Sequence, residues 1–199
     1  MARGHEPRQD RAIRTRELVL LAAARLFAAK GFPNTSMKDV ADEMGMTKGA
    51  VYHHFPSKES LAIAVVEEHY ARWPRLLEEV RAEGLPPMET AFMLLERVAE
   101  AFGSDPLAQG GARLQLERSL IGAPLPAPYV GWAELLTTLF SEAEAAGELR
   151  AGVRPGQAAR AVVAAFFGVQ HISDTLHHRA DLNERWEETR ELLQHAIRA

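Results

Sequence analysis

From Val19 onward, apolar residues recur at intervals of three and four, and no stretch alternates apolar with polar in the manner of a strand, so the chain is expected to be all-α. In TRELVLLAAARLFAAKGF, Val19, Ala23, Leu26 and Phe27 fall at i, i+4, i+7 and i+8, which gives one inward face. Two short helices follow. Thr35 or Ser36 can accept a hydrogen bond from an orphan amide, and Asp39 stands three residues after Ser36, the spacing of a capping box. Val40, Ala41 and Met44 form the inward stripe of the first short helix. Gly45 lies where a chain leaving a helix needs a left-handed residue, and Met46 can fill the angle between the two helices. Thr47 caps the second, in which Val51 and Phe55 anchor one side at i, i+4 while Lys48, Tyr52 and His53 project from the other. The stretch TSMKDVADEMGMTKGAVYHHF, from Thr35 to Phe55, therefore reads as a helix-turn-helix. Gly49 within it costs roughly 1 kcal/mol against alanine, and close approach to double-stranded DNA is a reason to accept that cost.

After Phe55-Pro56, Ser57 caps a longer helix with Lys58 in its first turn and Leu61, Ala64, Val65 and Glu68 at helical spacing. Pro74 predicts either a kink in that helix or a fresh one running to Glu83. Gly84-Leu85-Pro86-Pro87 breaks the chain. Further helices are expected over Met88 to Phe102, Ala112 to Leu120, Tyr129 to Leu149, Pro155 to His178 and Asn183 to Arg198. Between two of them, Gly122 to Pro128 carries proline at every second position, a stiff extended spacer. The linear division expected is an N-terminal arm and three-helix helix-turn-helix DNA-binding domain over 1–56, then a C-terminal helical domain over 57–199.

The formal charge of −4 is unevenly spread: residues 1–60 hold ten Lys and Arg against seven Asp and Glu, a net +3, and residues 61–199 hold thirteen against twenty, a net −7. The reader is basic and the body acidic. Arg3, Arg8, Arg11, Arg14 and Arg16 make the leading arm cationic, suited to following phosphates or entering a minor groove, or to standing as a solvated tail. With no cysteine there is no disulfide, thiolate metal site or cysteine nucleophile, as in a reducing cytoplasm. The polar N-terminus lacks the apolar core of a secretory signal, and no segment reads as a membrane span, so a cytoplasmic protein is expected. Among the eight histidines, His53-His54, His171 and His177-His178 suggest metal binding, but no carboxylate completes a three-ligand set and no HExxH occurs. No GxSxG, phosphate-binding loop or dinucleotide fingerprint is present, so no catalysis, metal or cofactor is expected.

The run GFPNTSMKDVADEMGMTKGAVYHHFPSKESL resembles, without gaps, the DNA-binding segment of tetracycline-repressor (TetR) type regulators. By motif match, the resemblance implies that Lys48, Gly49, Tyr52 and His53 meet the operator in the major groove or at its walls and that Thr35, Thr47 and Lys58 hold its phosphates, with Ser36 also among the DNA-binding residues. The body, through GGARLQLERSLIGAPLPAPYVGWAELLTTLF and GELRAGVRPGQAARAVVAAFFGVQHISDTLHHRADLNERW, resembles the γ-butyrolactone receptor branch. Members of that branch repress genes of secondary metabolism and development until a butanolide-like or furan-like signal releases them; its pseudo-receptors answer instead to late products such as antibiotics. The last two helices resemble the pair that forms a four-helix homodimer interface, and Trp132 matches the tryptophan of the branch's pocket motif.

A small-molecule pocket also has support from the residues themselves. The helix with Trp132, Leu135, Leu136, Leu139 and Phe140 and the one with Val162, Val163, Phe166, Phe167 and Val169 both carry broad apolar faces, and Gln170 sets an amide in the second. The expected lining is Trp132, Leu136, Phe140, Phe166, Phe167 and Gln170; periodicity does not settle the reach of Tyr129, Phe92 and Gln115. Phe167 departs from the branch pattern, where a small hydroxyl residue often precedes this glycine, and so shrinks the pocket. Two other readings stand beside the signal receptor. One is a TetR-type repressor of an efflux gene with a drug-like ligand, the other an architectural DNA-binding protein with no effector.

Overall fold

The computed structural model describes residues 8–199, of Arg8 the backbone alone; the arm residue Arg3 and the Arg8 side chain lie outside the described residues. Among the described residues the chain forms α1 (Arg8–Lys30), α2 (Met37–Glu43), α3 (Lys48–His54), α4 (Lys58–Ala82), α5 (Pro87–Ser104), α6 (Pro106–Leu116), α7 (Val130–Ala145), α8 (Pro155–His177) and α9 (Leu182–Ile197), with a 3₁₀ turn at Arg118–Leu120. The one extended pairing among them is an isolated antiparallel bridge between Leu149 and Arg198. No described helix is long and apolar enough to cross a membrane.

The contacts divide the chain into two units. The first comprises the described residues up to Ala71 and residues 105–126, the second residues 72–104 and 127–199. These packing units cut across the linear division at residue 57, because the first half of α4 and all of α6 pack with the helix-turn-helix. The core of the first unit is built from Val19, Ala23 and Phe27 of α1, Val40 of α2, Val51 of α3 and its C-cap Phe55, Leu61 and Val65 of α4, Leu114 of α6, and Ile121 after the 3₁₀ turn.

Helix α6 does not start where the sequence suggested. It begins at Pro106, not Ala112, because Asp105 caps it by accepting from the Leu107 amide (2.8 Å) and Pro106 fills its first turn, where a missing N–H costs nothing. Gly110 and Gly111, which look like breakers, lie inside the helix. A Cβ on Gly110 would stand 2.6 Å from the Ala24 carbonyl oxygen of α1, and one on Gly111 would collide with the His69 side chain. They are contact glycines that let two backbones approach. The helix ends at Leu116 and tightens into the 3₁₀ turn.

Helix α4 runs through Pro74 as one element, so no fresh helix starts there; the first half lies in one unit and the second half in the other. In the second unit α5, α7, α8 and α9 pack around Phe92, Leu94, Leu95, Phe102, Leu136, Phe140, Phe166 and Trp186, all fully buried. Tyr129, just before α7, holds φ +67°, a conformation rare outside glycine, and shortens that helix by one residue at its start relative to the sequence reading. Helix α7 stops at Ala145, where Gly147 turns left-handed at φ +75°.

Substitution of the two kinds of helical glycine separates these effects. Gly110→Ala should destabilise by about 2 kcal/mol or more, since the obstacle is backbone and cannot swing away, whereas Gly103→Ala, with nothing within 4 Å of its Cβ position, should be neutral or stabilise by up to about 1 kcal/mol. Thermal or urea unfolding measures both; equal effects would deny the close α1–α6 contact.

Candidate functional site

The helix-turn-helix is held by local bonds in the places its sequence indicates. The Ser36 hydroxyl oxygen accepts from the Asp39 amide (3.1 Å), and Asp39 Oδ2 accepts from the Ser36 amide (2.7 Å) and hydroxyl (2.6 Å), a complete capping box. Those bonds, the hydroxyl's first, hold the Asp39 carboxyl below its ordinary value, with help from Lys30 at 3.6 Å. At the other end of α2, Gly45 (φ +61°) donates to Asp42 and Met46 to Ala41, the paired bonds of a Schellman turn. Thr47 then accepts from the Ala50 amide (3.3 Å) and starts α3.

Helix α3 buries Val51 and leaves Lys48, Gly49, Tyr52 and His53 exposed. The Lys48 ammonium lies 5.4 Å from the centre of the Tyr52 ring, and the His53 and His54 rings meet edge-on at 5.4 Å. Behind them the Arg16 guanidinium stacks 4.9 Å from the centre of Phe55, which fixes α1 against the end of α3. Gly49 is on the exposed face with no atom within 4 Å of its Cβ position. Its absence of side chain serves no packing in this chain.

Thr35 requires a correction. The sequence made it a helix cap or a phosphate contact, but it is 2% exposed and its hydroxyl donates to the Gly31 carbonyl (2.8 Å), so that hydroxyl is turned into the α1–α2 corner and Ser36 alone does the capping. Lys58, half-buried at the start of α4, donates to the Phe32 carbonyl (2.8 Å) and stacks 4.1 Å from the centre of the Phe32 ring. It borders an open groove of about 460 Å³ lined by residues including Ser36, Tyr52, Ser57 and Glu59. Ser36 and Thr47 are exposed.

In the second unit, the residues expected to line a ligand pocket converge on one aromatic cluster. Trp132 is 5.7 Å from Trp73 and 6.1 Å from Phe167; Phe167 is 4.8 Å from Tyr129 and 5.2 Å from Phe166. Phe166 stands edge-on to Trp186 at 4.9 Å, and Trp186 leads through Phe92 to Phe140. Leu136 is fully buried beside them in α7. Gln170, 4% exposed and one turn after Phe166, has no partner for its Nε2, and neither has the indole N–H of Trp186. Two neutral donors are thus buried without an acceptor, each at a cost of about 1–3 kcal/mol. Gln115 belongs to the first unit, where its Nε2 donates to the Pro126 carbonyl (3.2 Å) while its Oε1 is buried and unpartnered. The sequence reading missed Trp73 and Trp186. The second was recoverable, since Leu182, Trp186 and Ile197 fall at i, i+4 and i+15 along one face of a charged-looking helix.

Helices α8 and α9 leave an apolar face uncovered: Ile172, Leu176 and Leu192 are 48%, 62% and 75% exposed, and Gly168 has nothing within 4 Å of its Cβ position. The turn joining the two helices is tied by Asp181, which accepts from Ser173, fully buried, and pairs with Arg185. The Ser173 hydrogen bond is the largest of the influences holding that carboxyl below its ordinary value.

This geometry is that of a helix-turn-helix in one packing unit and of an aromatic interior with unmatched donors in the other. Residues 19–65 match the profile of bacterial regulatory proteins of the tetR family. A solved structure that describes the molecular basis for control of antibiotic production by a bacterial hormone is 60% identical, with a TM-score of 0.90 over 94% of this chain and 99% of that one. A γ-butyrolactone receptor structure (ArpA-like protein) is 28% identical with a TM-score of 0.71, over 91% of this chain and 100% of that one. The A-factor receptor protein of Streptomyces griseus is 29% identical over 88% of this chain, which spans 60% of that receptor's length. The chain belongs to the TetR family of bacterial regulatory proteins.

The titrating groups give a pH signature. Burial, then the neighbouring His53 and Arg16, lower the pKa of His54, so the stability tied to its neutral form is present above its ordinary value of about 6.5 and is lost as pH falls through that range. The lowered carboxyls of Asp39 and Asp181 contribute stability above about 4 that is lost as pH falls through their depressed values. Melting temperature should therefore decline between pH 7 and 5.5 and again below 4, and His54→Asn should flatten the first decline only. An unaltered first decline in that variant would remove His54 from the account.

Proposed function

We propose that the protein is a homodimeric transcriptional repressor that binds a near-palindromic operator in double-stranded DNA and is released by a small-molecule effector. The observation that carries the DNA reading is the face of α3: a lysine, a tyrosine and a histidine around a helical glycine whose Cβ position is empty. A partner backbone or base edge that comes close is the reason for such a glycine. Lys48, Gly49, Tyr52 and His53 read the major groove, Ser36, Thr47 and Lys58 hold phosphates, and Thr35 acts from behind by bracing the corner that presents them. The uncovered face of α8 and α9, with Gly168, Ile172, Leu176 and Leu192, is the surface that a second copy covers, and the two-fold dimer sets the operator's symmetry. Repression is steric and the protein works in the cytoplasm, where the DNA is; catalysis has no part in it.

The effector binds among Trp132, Leu136, Phe140, Phe166, Phe167 and Gln170. The unmatched donors on Gln170 and Trp186 call for acceptor oxygens, and the aromatic surroundings for an alkyl or flat apolar portion. A butyrolactone-like or furan-like signal has both, and the relatives named for a hormone and for γ-butyrolactone support that class and the control of secondary metabolism. Phe167, packed between Tyr129 and Trp132 where a small residue would leave room, favours a second possibility within the same mechanism: a flat late product such as an antibiotic.

Gly49→Ala tests the DNA reading without harming the fold. It should stabilise the protein by up to about 1 kcal/mol and weaken operator binding about tenfold or more, measured by fluorescence anisotropy on the region upstream of the gene. Undiminished binding would take α3 out of the groove. Lys58→Ala should weaken binding to every sequence and lower the slope of log affinity against log salt by roughly one, and an unchanged slope would remove Lys58 from the phosphate set.

A further inference from the structure

The end of α1 is held by two residues distant in sequence, Arg113 of α6 and Glu117, the C-cap of that helix. Arg113 and Glu117 lie one turn apart and pair with each other, Nε to Oε1 at 3.0 Å. Arg113 Nη1 also donates to the Ala28 carbonyl (3.3 Å), one of the last carbonyls of α1, which have no partner within the helix. Glu117 Oε2 accepts from the Phe32 amide at 2.6 Å, just beyond that helix end. Gly31, at φ +75°, would drive a Cβ into the Glu117 carboxylate, so the carboxylate seats on bare backbone. The remaining polar atoms of the same two peptides face the reader: the Gly31 carbonyl accepts from Thr35, and the Phe32 carbonyl accepts from Lys58. Gly31 and Phe32 are thus a junction at which α6 meets the approach to α2 and the start of α4.

Stability alone explains this poorly. The first unit already has a continuous apolar core between α1 and α6, and a carboxylate with only 19% of its side chain exposed is an expensive way to add to it.

We propose that Arg113 and Glu117 form a positioning clamp: seated on Ala28 and Phe32, they hold Lys58 and the α1–α2 corner in the operator-binding arrangement. The clamp rests on the proposed binding of operator DNA.

Because linkage is reciprocal, operator DNA must tighten the clamp if the clamp favours operator binding. The test is amide hydrogen exchange of the full chain at Phe32, alone and with the upstream operator fragment, in the wild type, Glu117→Gln and Glu117→Ala. In the wild type, operator should slow Phe32 exchange. In Glu117→Ala, exchange at Phe32 should speed about tenfold or more, operator should no longer slow it, and operator affinity should fall about tenfold, while exchange in α8 and α9 stays as it was. Glu117→Gln, which keeps an acceptor, should fall between. A faster Phe32 with undiminished operator affinity would reduce the clamp to a structural tie, and unchanged exchange would deny it altogether. A wild type that binds no upstream fragment overturns the operator reading on which the clamp rests, whatever the exchange at Phe32.

Discussion

The arrangement of the first unit depends on how closely α6 approaches α1. Gly110 and Gly111 remove the side chains that would hold the two backbones apart, and only then can Arg113 and Glu117 reach the Ala28 carbonyl and the Phe32 amide. From that contact follow the packing of Leu114 and Ile121 into the core shared with α2, α3 and α4, and the fixed corner from which α2 departs. A methyl group at position 110 would have to displace backbone, so this contact has little room to relax.

Glycine also shows how one residue type serves opposite ends. Gly110 sits in α6 because another part of the chain is already there; Gly49 sits in α3 where nothing in the chain approaches it, and the proposed reading gives that space to DNA. The same contrast runs through the polar groups. Thr35 and Asp181 have their hydrogen bonds met within the chain and build structure, whereas Gln170 and Trp186 carry donors that the chain does not meet and that the proposed effector would.

What could be read from the sequence was what local chemistry decides. The capping box at Ser36 and Asp39, the left-handed Gly45, the cap at Thr47 and the anchors Val51 and Phe55 each depend on residues within a turn or two, and they stand where the spacing placed them. The aromatic residues Trp132, Phe166 and Phe167 were legible as an apolar face, and the structure gathers them. What escaped was decided at long range. The start of α6 was misread because two glycines look the same as a break and as a close contact until the neighbouring helix is known. Thr35 was assigned outward because its partner, the Gly31 carbonyl, becomes available only when α1 ends in a left-handed turn. The role of Glu117 had no local signal at all, since its partner is 85 residues away.

The central claim is that this chain holds an operator through α3 and lets go when its aromatic interior is occupied. The most direct measurement is fluorescence anisotropy of the whole protein with labelled fragments from upstream of its own gene, titrated with alkyl γ-butyrolactones and alkyl furan carboxylates. The account expects tight, salt-sensitive binding to one fragment and loss of that binding with one compound class. Binding no stronger to any upstream fragment than to random DNA would contradict it.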